Sequence, residues 1–265
     1  MNEKYTIIVG LLCLAALALL PGAVCADDDL LDDDVLFQVS TIDALMQGVF
    51  DGFYSFHDLQ AHGDFGIGTF DSLDGEMIAV DGDYYQVKAD GVAYPVQGNM
   101  TTPFSTVTYF KADQTIAVQN ASNYTMLSRQ IDQKLPSKNM FYAIRIDGTF
   151  PYVKTRSVPA QKKPYPRLAD ATKNQSVFEF SNVTGTVVGV WASEFSKGLN
   201  VAGYHLHFIT ADRKAGGHIL DLKVDRADVK VDVTPGFAMQ LPTTGDFYNV
   251  DLSQDLQSEL KKIEN

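Results

Sequence analysis

Cysteine is almost absent from this 265-residue chain: only Cys13 and Cys25 occur, both near the amino terminus. That excludes a disulfide scaffold and a thiolate metal cluster, and a thiol nucleophile as well once the segment carrying both is removed. Basic charge is also sparse, with 21 Lys and Arg against 33 Asp and Glu for a formal net charge of −12. Neutralising phosphates needs clustered Lys and Arg, so neither nucleic-acid binding nor adsorption to anionic lipid is expected. Three familiar catalytic signatures are missing: a Gly-X-Ser-X-Gly elbow, a Gly-Lys-Ser/Thr phosphate loop and a dinucleotide fingerprint after a strand. Histidine occurs only five times, so where it falls carries information.

Hydrophobic residues make up 45% of the chain, enough for a real core in one large domain or two modest ones. Lys4, the apolar run Ile7 to Leu20, the Pro21-Gly22 break and Val24-Cys25-Ala26 have the layout of a secretory signal at residues 1–26. The run is shorter than the ~20 residues of a membrane span. An uncleaved anchor and a lipid-modified Cys25 are the alternatives. Cleavage after Ala26 leaves a cysteine-free, extracytoplasmic chain. Residues 27–38 then form an acidic tail whose Asp27, Asp28, Asp29, Asp32, Asp33 and Asp34 account for half the net charge. Such a block is usually solvated, and no Gly-spaced loop organises it for calcium.

Past the tail, Ser40 or Thr41 can cap a short helix with Ala44, Leu45, Val49 and Phe50 on one face. Asp-Gly pairs at 74–75, 81–82 and 90–91 separate short apolar runs, so residues 64–98 read as a meander of hairpins. Strands are expected over 104–110 and 141–146, with a helix at 124–134 between them. Pro151, Pro159, Pro164 and Pro166 lie among Lys154, Arg156, Lys162, Lys163 and Arg167, which suggests a linker or an anion-handling loop at 151–175. β-rich runs resume at 185–191, 203–210, 218–224 and 229–233, and residues 252–265 have helical composition. The chain therefore divides into a sheet domain at 39–150 and a mostly antiparallel one at 176–265, a sheet-rich α+β protein. Five Asn-X-Ser/Thr sequons, at Asn99, Asn120, Asn123, Asn174 and Asn182, permit glycosylation in an exported chain.

Three of the five histidines fall between 205 and 218. In Tyr204-His205-Leu206-His207-Phe208 a strand's period of two sets both imidazoles on one face. The turn-rich segment 210–217 predicts a hairpin that brings His218 opposite His207. Three neutral imidazoles bind one divalent ion and leave positions open, as in a catalytic zinc site. The bland alternative is three solvent-facing histidines. His57 and His62, in a loop-like stretch, read as surface or core-edge residues.

With this cluster, the segments Gly63-Asp64-Phe65-Gly66-Ile67-Gly68-Thr69-Phe70, Leu73-Asp74-Gly75-Glu76-Met77 and Phe141-Tyr142-Ala143-Ile144-Arg145-Ile146-Asp147-Gly148 resemble the alpha-acetolactate decarboxylases, in the same order and over nearly all of the chain from Val39. The resemblance implies zinc-dependent conversion of 2-acetolactate, a small anionic 2-hydroxy-3-keto acid, to acetoin and carbon dioxide through a metal-stabilised enediolate. It implies an amino-terminal mixed sheet, a small carboxyl-terminal antiparallel barrel, and a homodimer. Carried over residue by residue, it assigns the Zn2+ to His205, His207 and His218 and catalysis to Glu76, Arg156 and Glu264, with Glu259 as the fallback for the last. On sequence alone Glu76 and Arg156 would be surface charges in a turn and a loop, and Glu264 a frayed end. A secreted, non-enzymatic metal- or carbohydrate-binding β-protein is the competing reading.

Overall fold

The computed structural model describes residues 34–264, so the expected signal segment and all of the aspartate block except Asp34 lie outside the described residues. The strands are β1 (Val35–Val39), β2 (Tyr54–Ser55), β3 (Phe65–Thr69), β4 (Glu76–Val80), β5 (Asp83–Val87), β6 (Ala93–Pro95), β7 (Thr101–Thr102), β8 (Ser105–Thr108), β9 (Gln114–Ala121), β10 (Phe141–Ser157), β11 (Ser176–Ala192), β12 (Gly203–Thr210), β13 (Gly216–Thr234) and β14 (Gly236–Gln240). The helices are short: α1 (Ile42–Met46), α2 (Phe56–Leu59), α3 (Tyr124–Asp132), α4 (Leu168–Ala171) and α5 (Gln257–Glu264). The fold is sheet-rich α+β, as expected.

A seven-stranded sheet runs in the order β14-β1-β8-β3-β4-β5-β6 and is mixed, because β1 pairs in parallel with β14 while its other pairings are antiparallel. The expected meander is its β3-β4-β5-β6 half. Asp81 and Gly82, at φ 56° and 84°, form the two-residue turn between β4 and β5, which explains the Asp-Gly pair there. The second sheet runs β10-β11-β12-β13-β9, and β10 also pairs with β13, so the antiparallel pairings of β10 to β13 close into a ring. One apolar cluster fills this ring around Tyr142, Phe150, Phe208 and Leu222. Another, with Leu36, Ile67, Ile78, Ala143 and Val190, joins the two sheets.

Three features differ from the expected layout. Strand β10 continues to Ser157, so Pro151 to Ser157 is strand rather than loop and Arg156 lies in a ladder. The runs at 218–224 and 229–233 are one strand, because the charged stretch between them is paired with β9 through Arg226, Ala227 and Asp228, with its charged residues exposed and Ala227 buried. The two sheets also exchange strands across residue 150: β9 and β10 belong to the second sheet, whereas β14 returns to the first. Local patterning reports strand character but not the partner, which is set by cross-strand packing.

Helix α1 is capped by Thr41, whose hydroxyl accepts from the Ala44 amide at 3.2 Å. Helix α5 buries Leu260 and Ile263, and with the preceding Leu256 packs against Ile42 and Leu45 of α1 and Leu168 of α4. At about 1.5–3 kcal/mol for each fully buried aliphatic side chain, this packing holds a two-turn helix too short to persist alone. Arg167 adds an ion pair to Glu259 at 3.1 Å.

Candidate active site and metal centre

The hairpin expected around residue 213 sets His207 of β12 directly across from His218 of β13. On its other side His218 pairs with Arg156 of β10. The β10–β13 register shifts between Lys154 and Thr155, where β13 carries one extra residue, and such a bulge re-aims the side chains beyond it. Gly217, at φ +133°, leaves room for this approach: a Cβ there would lie 2.5 Å from the Arg156 carbonyl oxygen. Gly217→Ala should therefore destabilise the fold by roughly 1–3 kcal/mol and weaken metal binding, as read by urea unfolding and metal titration.

Each imidazole offers a ring nitrogen within 4.8 Å of the other two. All three residues are buried, His205 at 8%, His207 at 0% and His218 at 1% exposure. The Nδ1 of His207 lies 2.9 Å from the Met77 carbonyl oxygen, which has no proton to give, so Nδ1–H donates and Nε2 is left as the free lone pair. His207 Nε2, His205 Nδ1, both nitrogens of His218 and Glu264 Oε2 are buried with no hydrogen-bond partner among the described residues. Buried polar atoms are rarely left in this state. Burial, reinforced by the Arg156 charge, pushes the His205 imidazolium down to about 3. Burial likewise drives His207 and His218 well below the usual histidine range. Three neutral, converging and unsatisfied imidazoles are the donor set of a divalent transition-metal ion, so these residues fit zinc.

Glu76 opens β4, Arg156 lies near the end of β10 and Glu264 ends α5, and all three meet at the rim of the cluster. The Arg156 guanidinium donates to Glu76 Oε1 at 3.2 Å and stands 3.7 Å from Glu264 Oε1. Glu264 Oε2 is 3.7 Å from the Nε2 atoms of both His205 and His218, and Glu76 Oε2 is 3.7 Å from His207 Nε2. The fallback Glu259 is instead held by Arg167 away from the cluster. Far from fraying, Glu264 keeps its side chain 8% exposed. Burial raises Glu76 to about 7, opposed by Arg156 and assisted by Glu264. Burial also raises Glu264 to about 7, against the pull of Arg156.

These shifts have a consequence for the metal-free protein. The three imidazoles bind protons less readily folded than unfolded, so their contribution is complete above about 6.5 and is lost as pH falls towards the lowered folded values. The two carboxylates have the opposite sign: their contribution is complete below about 4.5 and is lost as pH rises through about 7. Between those limits three groups oppose two. Chelator-treated protein should thus lose stability on acidification from 6.5 to 5, by about 1 kcal/mol per pH unit, and urea unfolding at those two pH values tests this.

A small cavity opens on this group. Ile42, Leu45, Leu73, Phe104, Val158 and Leu168 form its apolar wall, while Glu76, Arg156, His205 and Glu264 supply its polar side. The wall residues carry no functional signal in the sequence, where apolar positions at strand and helix spacing read as core. His57 is exposed, and His62 is a core-edge residue stacked on Phe37 at 3.7 Å, so neither joins the cluster.

The alpha-acetolactate decarboxylase family model matches residues 36–254, ending ten residues short of Glu264. The alpha-acetolactate decarboxylase of Methanosarcina mazei is 59% identical over 87% of this chain and 80% of its own length. That of Bacillus licheniformis is 41% identical over 87% and 92%, respectively. The crystal structure of the alpha-acetolactate decarboxylase from Bacillus subtilis strain 168 superposes with a TM-score of 0.83 at 40% identity, covering 87% of this chain and 98% of that one. With most of its length matched at such identity and on the same fold, this chain belongs to the alpha-acetolactate decarboxylase family.

Proposed function

We propose that this protein converts 2-acetolactate to acetoin and carbon dioxide. Beyond family membership, the observation that carries this reading is the convergence of one buried guanidinium and two buried carboxylates on three neutral imidazoles. Cleaving the carboxylate from a 3-keto acid sends an electron pair onto the neighbouring carbonyl and leaves an enediolate, so the site must hold the carboxylate, stabilise the developing charge and return a proton. Zinc held by His205, His207 and His218 would, when bound, supply the Lewis acid for that charge.

Arg156 suits the first task. Its planar fork is a matched partner for a carboxylate, and the strand pairing to β11 and β13 fixes its backbone on both sides. Binding the carboxylate there orients the scissile bond, and the apolar wall admits the methyl groups while excluding water. The last task falls to Glu76 or Glu264. A guanidinium stays protonated far above neutral pH and is a poor acid, whereas a carboxyl raised to about 7 holds a proton and can release it near neutral pH. Each sits within reach of one side of the Arg156 head group, so whichever is protonated faces a substrate bound between them.

Purified protein beginning at residue 27 should form acetoin from acetolactate, lose the activity to a chelator and regain it with zinc. Folded, zinc-loaded protein that yields no acetoin would refute the reading. The ring of β10 to β13 is read as the family's small barrel, export by the 1–26 segment as the route out of the cytoplasm, and a homodimer as the working form. Amino-terminal sequencing and sedimentation of the native protein test the last two.

A further inference from the structure

We propose that this chain carries N-linked oligosaccharide at Asn99, Asn174 and Asn182 and at one of the neighbouring pair Asn120 and Asn123. Composition makes such a set of sequons unusual. Ser and Thr number 14 and 18 of 265 residues, so ten asparagines would meet a hydroxyl two positions on about once, and five do so. All five sequon side chains are exposed and so open to a modifying enzyme; Asn139 and Asn249 are exposed without a hydroxyl two positions on, and Asn200 is fully buried, donating to Gln38 at 2.7 Å.

Local backbone needs explain some of these asparagines but not the pattern. Asn120 and Asn182 adopt φ 51° and 50°, a region where Asn is favoured. At each of them the ladder skips one residue on both strands, Asn120 with Asp225 and Asn182 with Pro151, and the register continues unchanged on either side. Asn123 caps α3, its carbonyl oxygen accepting from the Met126 amide at 2.9 Å. The hydroxyls of Ser122 and Thr184 meet Met126 Sδ at 3.0 Å and Thr149 Oγ1 at 2.8 Å, but neither a left-handed backbone nor a cap calls for them or for that of Thr125. Among the hydrogen bonds of the described residues, none uses the amide nitrogen of any of the five, so each nitrogen is available to react. Only one of Asn120 and Asn123 is expected to be modified, because a sugar on either crowds the other three residues away.

The modification transfers an oligosaccharide from a polyprenyl-phosphate donor on the extracytoplasmic face of the membrane. The asparagine amide nitrogen forms a bond to the anomeric carbon, the bond from that carbon to the phosphate oxygen breaks, the phosphate leaves with the electron pair and the amide loses one proton. The proposal rests on the export reading, since the donor faces outward. None of the five asparagines lines the cavity at the imidazole cluster, so the coat leaves the site open.

The test is intact-mass and peptide mass spectrometry of the protein purified from the organism that encodes it, with its amino terminus sequenced. Expected are a chain starting at residue 27, a mass above that of the polypeptide by whole sugar residues, and sugar on the peptides containing Asn99, Asn174 and Asn182. Thr184→Val should remove the sugar from Asn182 without touching its backbone, and Thr184→Ser should keep it. Five unmodified peptides from a chain starting at residue 27 overturn the proposal while leaving export intact. Five unmodified peptides from an unprocessed chain overturn both. Sugar that persists on Asn182 in Thr184→Val overturns the sequon as its cause.

Discussion

Arg156→Lys should lower kcat/KM for acetolactate by about 100-fold or more while leaving the melting temperature close to wild type. The charge is kept, so Glu76 and Glu264 are not left as an uncompensated buried pair, which is the outcome to fear from Arg156→Ala. What is lost is shape. The guanidinium reaches Glu76 with one terminal nitrogen and faces Glu264 with the other, a span that an ammonium cannot reproduce. A lysine nitrogen would sit about 1 Å or more from the position that holds the substrate carboxylate, and misplacement on that scale costs about 100-fold in rate. Steady-state kinetics should show kcat falling and KM rising together, because the fork both binds and orients. Kinetics indistinguishable from wild type would remove Arg156 from the role of substrate positioner.

His207→Ala should abolish stoichiometric zinc binding and reduce turnover by about 1000-fold or more. The magnitude follows from the several kcal/mol that a Lewis acid contributes to stabilising transition-state charge, at 1.36 kcal/mol for each factor of ten. His207 is the sharpest probe because it is fully buried and its tautomer is set by the Met77 carbonyl. The deletion removes one ligand and leaves His205 and His218 in place on β12 and β13. Metal analysis of dialysed protein and acetoin formation under excess zinc are the two readouts. A variant that keeps one tightly bound zinc and full activity would show that the three imidazoles are not the metal centre.

Much of the imidazole cluster was legible in the sequence because its spacing is local. A strand alternates faces every two residues, so His205 and His207 share a side whatever else the chain does. A hairpin with its turn near Asp212 carries His218 to a fixed register opposite His207, and that pair is found. The Asp81-Gly82 turn and the Thr41 cap were legible for the same reason. Prolines at 151, 159, 164 and 166 mark irregular chain and so point to a loop around Arg156. Pro151 nevertheless lies within β10, and the β10–β11 register skips the position, so no ladder hydrogen bond depends on its missing N–H. Glu76 looked like a turn carboxylate and Glu264 like a chain end. Each is buried only because a distant element covers it.

The sequence by itself determined strand content, the hairpin geometry of the three imidazoles, the absence of cysteine beyond Cys25 and of a phosphate-loop motif, and the resemblance that pointed to a decarboxylase. Tertiary structure alone decided that Arg156 faces the cluster, through the one-residue bulge between β10 and β13. It also decided that Glu264 reaches the histidines, through docking of α5 on α1 and α4, and that two carboxyls rise to about 7 in a buried pocket. The physical reason is range. Side-chain alternation and turn chemistry are set within a few residues, whereas burial and charge pairing in the site arise between groups 46 or more positions apart, and those separations carry no periodic signal.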